Sequence, residues 1–397
     1  IGAIQALRSG TTTIVDDLNA SPVLQPEMVE AALQAYRDIG IRAMVGITLF
    51  DKPFFRALPF VSDEFPPELL AKLDGVKATP ALEILDFVKG LAKTHHPESD
   101  RVSAILAPSA PQRCTDDFVR TVRNVADDMD LPVIMHVHET RLQAVTGQLF
   151  YGSSMFKHLQ ALGFLKPKTQ LIHAIWVTPD DIQLLSDTGT SVQHNPNSNL
   201  KLGSGLMPMR AFLDAGVNVS LGTDGCGSIE TVDMLRAVAS TALVHKLRGD
   251  DHTRWVDAGD AWHAGTLGGA KALGFEGKMG LVAPGMRADV TCYKLVSSAF
   301  TPLNNPLRQL VYGETGADLD TIIIDGRVVM RYGKLSGIDE DSILSEAQEA
   351  HAELEPFISA AEEQTAEMAP AYARIYARCQ ALAIDPAVLP ARFPDLK

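Results

Sequence analysis

At 397 residues, with 46% apolar side chains and near-neutral mean hydropathy, the chain has material for one large buried core with appendages. No uninterrupted apolar run reaches the roughly 20 residues that span a bilayer, Ile1-Gly2-Ala3 opens no signal sequence, and Cys114, Cys226, Cys292 and Cys379 form no CxxC pair, so we expect a cytoplasmic protein with no membrane partner, disulfide framework or thiolate zinc site. A net charge of −14 repels a phosphate backbone, which excludes nucleic acid as a partner and favours a small neutral or cationic ligand.

The first ten residues, Ile1 to Gly10, read as the last turns of a helix with no strand before it. Runs rich in Val, Ile and Thr then alternate with helical patterns, the signature of βα units and a parallel sheet. The strand at Thr11–Asp16 is followed by a helix at Pro26–Asp38, and the strand at Ile41–Thr48 leads into residues 51–75, rich in Pro and Phe. That loop is either a lid over an aromatic substrate or plain packing. A helix at Ala81–Ala92, a strand at Val102–Ala107, a helix at Asp116–Met129 and strands at Leu131–His136 and Gln170–His173 come next. Thr178 and Pro179 then read as N-cap and first residue of a helix to Asp187. Strands at Thr190–His194 and Val217–Thr223 and a helix at Val232–His245 follow.

These units are one short of the eight that close a (β/α)8 TIM barrel, and the missing one is the first. The chain reads as an α/β barrel over 1–280 that lacks its first βα unit. An open doubly wound sheet competes, but here the polar residues stand at many strand ends and not at one crevice. Short strands at Ala288–Tyr293, Thr321–Asp325 and Arg327–Met330, with the hairpin signal Asp325-Gly326, predict a small β-sandwich appendage over 281–335. An Ala- and Glu-rich stretch, Ser342 to Leu382, makes 336–397 a helical tail packed on the barrel.

Chemistry gathers at the strand ends. Met135-His136-Val137-His138-Glu139 closes the run from Leu131, and strand alternation puts His136 and His138 on one face with Glu139 in the loop beyond. Imidazole suits zinc, and a carboxylate that is not a ligand can shuttle protons. A lone HxH is as readily structural. His173, His194 and Asp224 at further strand ends move the reading to a metal-dependent hydrolase. Gly222, Gly225 and Gly227 are spaced GxxGxG and not GxGxxG, and Asp224 would face a pyrophosphate, which argues against dinucleotide binding. Asp16 and Asp17 read as caps of the next turn, with a part in the site as the alternative, His95-His96 as a solvated or capping pair, and Gly268-Gly269 as close packing; Trp176 walls the pocket or packs in the core. His245, His252, His263 and His351 receive no role.

As a set these segments resemble the amidohydrolase superfamily, in the branch of cytosine, guanine and S-adenosylhomocysteine deaminases and triazine hydrolases. The resemblance is carried by Gly10-Thr11-Thr12-Thr13 leading into Asp16, His136-Val137-His138-Glu139-Thr140, Leu171-Ile172-His173, the stretch from His194-Asn195-Pro196-Asn197-Ser198-Asn199 to Gly205, and Gly222-Thr223-Asp224-Gly225. Leu267 to Gly274, Pro284-Gly285-Met286-Arg287-Ala288-Asp289 and Ile324-Asp325-Gly326-Arg327 extend it along nearly the whole chain.

The resemblance implies one divalent metal ion, Zn²⁺, bound by His136 and Asp224, with Glu139 as proton shuttle and His173 hydrogen-bonding the attacking hydroxide and substrate. It implies a substrate pocket that includes His138, Ser109, His194, Asn199 and Trp176. Metal-activated hydroxide would attack a ring carbon of an amino-substituted purine, pyrimidine or triazine, Asp224 would take the water's proton, and ammonia would leave. Two departures stand out. The family's first-strand HxH has no counterpart in this chain, and Ser109 stands where adenosine-type deaminases carry a substrate-contacting histidine, which leaves nucleoside specificity open. The strand before Ser109 has no lysine to bridge two metals, in keeping with one ion. A hydrolase of a cyclic amide or chlorotriazine on the same barrel, and a binding protein without turnover, remain as alternatives. The apolar loop and helical tail suit a homodimer.

Overall fold

The computed structural model describes residues 1–392. Seven parallel strands make one sheet in sequence order: β1 (Thr13–Leu18), β2 (Arg42–Leu49), β3 (Val102–Pro108), β4 (Val133–Val137), β5 (Thr169–His173), β6 (Ser191–His194) and β7 (Val219–Leu221). β2 and β3 are buried at almost every residue, as strands covered on both faces must be. Their alternation sorts side chains between two cores. Ala43, Val45, Ile47 and Leu49 pack outward under the helices, while Met44, Ile105, Ile134 and Ile172 fill the inside with Leu273, Phe275 and Met279.

The helices start where their sequences provide caps. Thr115, Thr140 and Thr178 each accept the backbone N–H three residues on, and Thr178 and Asp181 complete a reciprocal capping box with Pro179 in the first turn. Gly268 is close-packed as its sequence suggested: a Cβ there would lie 2.1 Å from the Val219 carbonyl oxygen of β7. One cavity of about 900 Å³ is lined both by Thr13 to Asp17 of β1 and by Ser220 to Asp224 around β7. The sheet therefore curls until its two ends face each other. They do not pair, so the structure is a (β/α) barrel open along one side.

Four antiparallel strands, β8 (Val290–Tyr293), β9 (Leu319–Ile324), β10 (Arg327–Arg331) and β11 (Lys334–Leu335), form a second sheet in the order β11-β10-β9-β8. Among the described residues it is a single sheet and not two facing ones. Its Ile322, Ile324 and Met330 pack on Ile4 and Leu7 of the helix Gly2–Arg8 and on Ile39 and Ile41, so the barrel supplies the opposing layer. Asp325 and Gly326 both have positive φ, 53° and 76°, the pair of left-handed residues that a two-residue hairpin demands.

Arg42, at the start of β2, fastens the two sheets. Its guanidinium donates to both carboxylate oxygens of Asp289 at 3.1 and 3.2 Å and to Asp325 at 3.3 Å, with the Arg42 and Asp289 side chains 2% and 5% exposed. Removing one partner of a buried ion pair strands the other charge. Asp289→Ala is expected to cost about 3–5 kcal/mol of unfolding free energy. Urea denaturation measures it, and a loss below about 1 kcal/mol would show that Asp325 alone suffices.

The segment predicted as lid or packing is folded: a 3₁₀ turn at Phe54–Ala57 and helices at Val61–Glu64 and Pro67–Asp74. Its Phe55, Leu58, Val61 and Phe65 are covered by Ala371, Ile375 and Cys379 of the 42-residue C-terminal helix Glu340–Ala381, and Arg374 and Arg378 pair with Glu64. Only the last turns of that helix are buried. Leu354, Phe357 and Ile358, in its middle, are exposed, where the sequence suggested packing throughout. No helix among the described residues is long and apolar enough to cross a membrane.

Candidate active site

Four side chains converge at the C-terminal ends of β4, β5 and β7. His136 is the penultimate residue of β4, and its ring Nδ1 lies 3.0 Å from the Ser109 carbonyl oxygen. A carbonyl can only accept, so Nδ1 carries the proton and Nε2 is left bare as a ligand or acceptor. Asp224, three residues past β7, accepts from Ser198 Oγ at 2.5 Å on one carboxylate oxygen and from the Gly225 amide at 2.7 Å on the other. Both His136 and Asp224 line the cavity inside the barrel.

His173 ends β5. Its Nδ1 is 2.9 Å from Asn199 Oδ1 and its Nε2 is 3.8 Å from a carboxylate oxygen of Glu139. The rings of His136 and His173 lie 5.6 Å apart, centroid to centroid. Burial holds the His173 pKa below the ordinary histidine value, opposed by the nearby Glu139 carboxylate, so the ring is neutral near pH 7. Glu139 is only partly buried. Its Oε1 accepts from Ser204 Oγ at 3.2 Å and its backbone N–H donates to Gln143.

The backbone is bent to achieve this. His138, His173, Ala174 and Asp224 have φ of 51°, 77°, 45° and 70°, left-handed conformations that cost non-glycine residues roughly 1–2 kcal/mol each. Their clustering at the ends of the strands that carry the convergent side chains is how functional strain is distributed.

The predicted pocket residues are held mostly by backbone and buried partners. His138 does not share a face with His136, because the strand stops at Val137 and the positive φ turns the next side chain away. Both its ring nitrogens meet backbone, Nδ1 at the Trp176 carbonyl (2.6 Å) and Nε2 at the Met155 amide (3.2 Å), and it is buried. Trp176 lies in the main core with its indole N–H on the Ser204 carbonyl. His194 is fully buried against His245, Nε2 to Nε2 3.1 Å, and Asn199 is buried behind His173. Ser109 accepts from Arg113 with its hydroxyl and serves the site through its carbonyl, on His136. None of these five lines the cavity, and neither do Glu139 and His173.

Two residues come nearer than expected. The β1 ladder runs on to Leu18, so Asp17 is a strand residue and not a cap. One of its oxygens accepts from Thr48 at 2.7 Å and the other lies 3.9 Å from His136 Nδ1; burial raises its pKa, opposed chiefly by His136. Asp16 beside it accepts from the Tyr36 hydroxyl at 2.6 Å. A carboxylate at the C-terminal end of a barrel strand was the available signal. His245, passed over because it lies on no strand, closes a buried pair with His194.

His136, with one nitrogen fixed by a carbonyl, and Asp224, with its carboxylate held by two donors, have the chemistry of metal ligands. Catalytic zinc takes typically about three protein ligands. Among the described residues no group of three or more His, Cys, Asp or Glu side chains is placed to hold a metal ion. His136 and Asp224 alone are fewer donors than such a set requires.

Comparison with known proteins gives a consistent result. A model of the "Amidohydrolase family" matches residues 1–329. The chain is 31% identical over 354 residues to 5'-deoxyadenosine deaminase of Methanothermobacter thermautotrophicus, covering 89% of this chain and 75% of that protein. It is 35% identical over 332 residues to 5-methylthioadenosine/S-adenosylhomocysteine deaminase of Thermococcus onnurineus, covering 83% and 70%. A zinc-bound adenosine deaminase from Xanthomonas campestris superposes with a TM-score of 0.78 at 28% identity over 89% of this chain and 74% of that one. A zinc-bound atrazine chlorohydrolase from Arthrobacter aurescens has the same TM-score at 22% identity, over 87% and 74%, a likeness of fold.

Proposed function

The chain belongs to the amidohydrolase family, hydrolases of carbon–nitrogen bonds other than peptide bonds, and from that premise we propose that it is a metal-dependent deaminase of an amino-substituted N-heterocycle. The 6-aminopurine of a 5'-modified adenosine is the substrate favoured by its relatives' names. The observation that carries the proposal is the convergence of Glu139, His173, Asp224 and His136 at one end of the sheet, each fixed by a partner of its own.

A divalent ion held in part by His136 and Asp224 would supply Lewis acidity, which makes water nucleophilic near neutral pH. The chain's own residues do the rest. Asp224 takes a proton from the attacking water. The bare Nε2 of His173 accepts the water's other O–H and aims its oxygen at the ring carbon. Glu139 relays the water's two protons, one to the adjacent ring nitrogen and the other, taken first by Asp224, to the amino group, so the new C–O bond forms, the C–N bond breaks and ammonia leaves.

A second reading, a ligand-binding barrel without turnover, is favoured by the incomplete set of metal donors among the described residues. Elemental analysis and an ammonia-release screen separate the two. With Zn²⁺ supplied, ammonia is expected from 5'-deoxyadenosine, 5-methylthioadenosine or S-adenosylhomocysteine, in preference to guanine, cytosine or aminotriazines. Folded, zinc-loaded protein that releases chloride from a chlorotriazine and no ammonia would make it a dehalogenating hydrolase. Absence of bound metal and of turnover would establish the binding protein.

A further inference from the structure

The helix Pro196–Lys201 sends consecutive side chains to two different reacting groups: Ser198 to the Asp224 carboxylate and Asn199 to His173. Both are fully buried. We propose that Asn199 is a positioning residue that sets the tautomer of His173, holding the proton on Nδ1 and presenting Nε2 as a bare acceptor to the reacting water.

A neutral imidazole carries one ring proton, and the group facing each nitrogen decides where it sits. Asn199 places its amide oxygen 2.9 Å from Nδ1, and an oxygen there stabilises only Nδ1–H. The other nitrogen, 3.8 Å from Glu139, is too far from the carboxylate for a direct hydrogen bond. Asn199 does this at a cost, since its amide nitrogen is buried without a partner. Orphaned buried donors are rare and call for a reason. An apolar side chain in that place would carry no such penalty, so packing does not explain the amide. Nor does charge: a carboxylate would hold the tautomer but also favour the imidazolium, which cannot accept a proton or hydrogen bond at Nε2. The opposite amide orientation, N–H toward Nδ1, would put the ring proton on Nε2 and turn His173 into a donor. The two orientations predict opposite spectra.

The proposal rests on the deaminase reading for its kinetic arm and stands apart from it for its spectroscopic one. In protein labelled with ¹⁵N-histidine, long-range ¹H–¹⁵N correlation near neutral pH, with His173→Gln to assign the signals, is expected to show a protonated Nδ1 and a bare Nε2. A proton on Nε2 overturns the proposal whether or not the protein deaminates anything. Asn199→Leu is expected to mix the tautomers and lower kcat about 10–100-fold with little change in KM, whereas Asn199→Asp restores the Nδ1–H signal. If Asn199→Leu does not fold, the wild-type spectrum and Asn199→Ser decide it. An unchanged tautomer in a folded Asn199→Leu or Asn199→Ser protein also overturns it.

Discussion

Glu139→Gln is expected to lower ammonia release by about 10²–10⁴, the usual worth of a positioned general acid–base group, while bound metal and thermal midpoint stay as they are. The amide has the size and reach of the carboxylate, and it can still accept from Ser204 Oγ, now at 3.2 Å from Oε1. What it cannot do is carry a proton from water to ring nitrogen and on to the leaving amine. Because Glu139 is partly open to the site and lies outside the buried core, its replacement should move stability by no more than about 0.5 kcal/mol. Steady-state kinetics, metal content and a melting curve on one preparation make the test. Retention of more than about a tenth of the turnover would remove Glu139 from the proton path.

The second large effect is on acid stability. Burial pushes His245 down to about 3, helped by Arg248 and Arg210, and pushes His194 well below the ordinary histidine value, helped by His245, Arg248 and His173. In the unfolded chain both titrate near about 6.5. Between those limits the unfolded state binds protons that the folded state refuses, so the stability present above about pH 6.5 is lost as pH falls toward about 3. A fully depressed group costs about 1.4 kcal/mol per pH unit, so His245 alone removes about 2 kcal/mol between about pH 7 and about pH 5, and His194 acts in the same direction. Urea midpoints at about pH 7 and about pH 5 read the slope. His245→Gln keeps an amide against His194 and should make the slope shallower; equal slopes in the two proteins would show that the pair does not govern acid unfolding.

Much of this architecture was legible in the chain. The Val-, Ile- and Thr-rich runs located every strand of the large sheet to within a few residues, most plainly β2 and β3, which are covered on both faces. The convergence of His136, His173 and Asp224 followed from their places at strand ends. What the sequence hid was direction. His138 was read by strand alternation, but one left-handed residue suspends alternation, and nothing in the letters marks where a ladder stops. The same uncertainty of a residue or two turned Asp17 from a strand carboxylate beside His136 into a supposed cap. Ser198 and Asn199 sit in a recognisable motif, yet whether a helix turns its polar residues into a cavity or behind a ring is settled by tertiary placement alone. His194 and His245 are 51 positions apart and meet only in the tertiary fold.

The order β1 to β7 also fixes when the site can exist. Each strand hydrogen-bonds only to its neighbours in the chain, so pairing can proceed in the order of synthesis, each unit adding to an edge already formed. The contacts that join the two ends are few and late: the Val232 amide to Gln5 and the Met234 amide to Ser9, both more than two hundred residues apart. Asp224 belongs to that last step. A nascent chain that has laid down β1 through β6 already holds His136, Glu139 and His173 but no Asp224 carboxylate. Of the four convergent residues, Asp224 is therefore the last to be synthesised, after six of the seven strands of the large sheet.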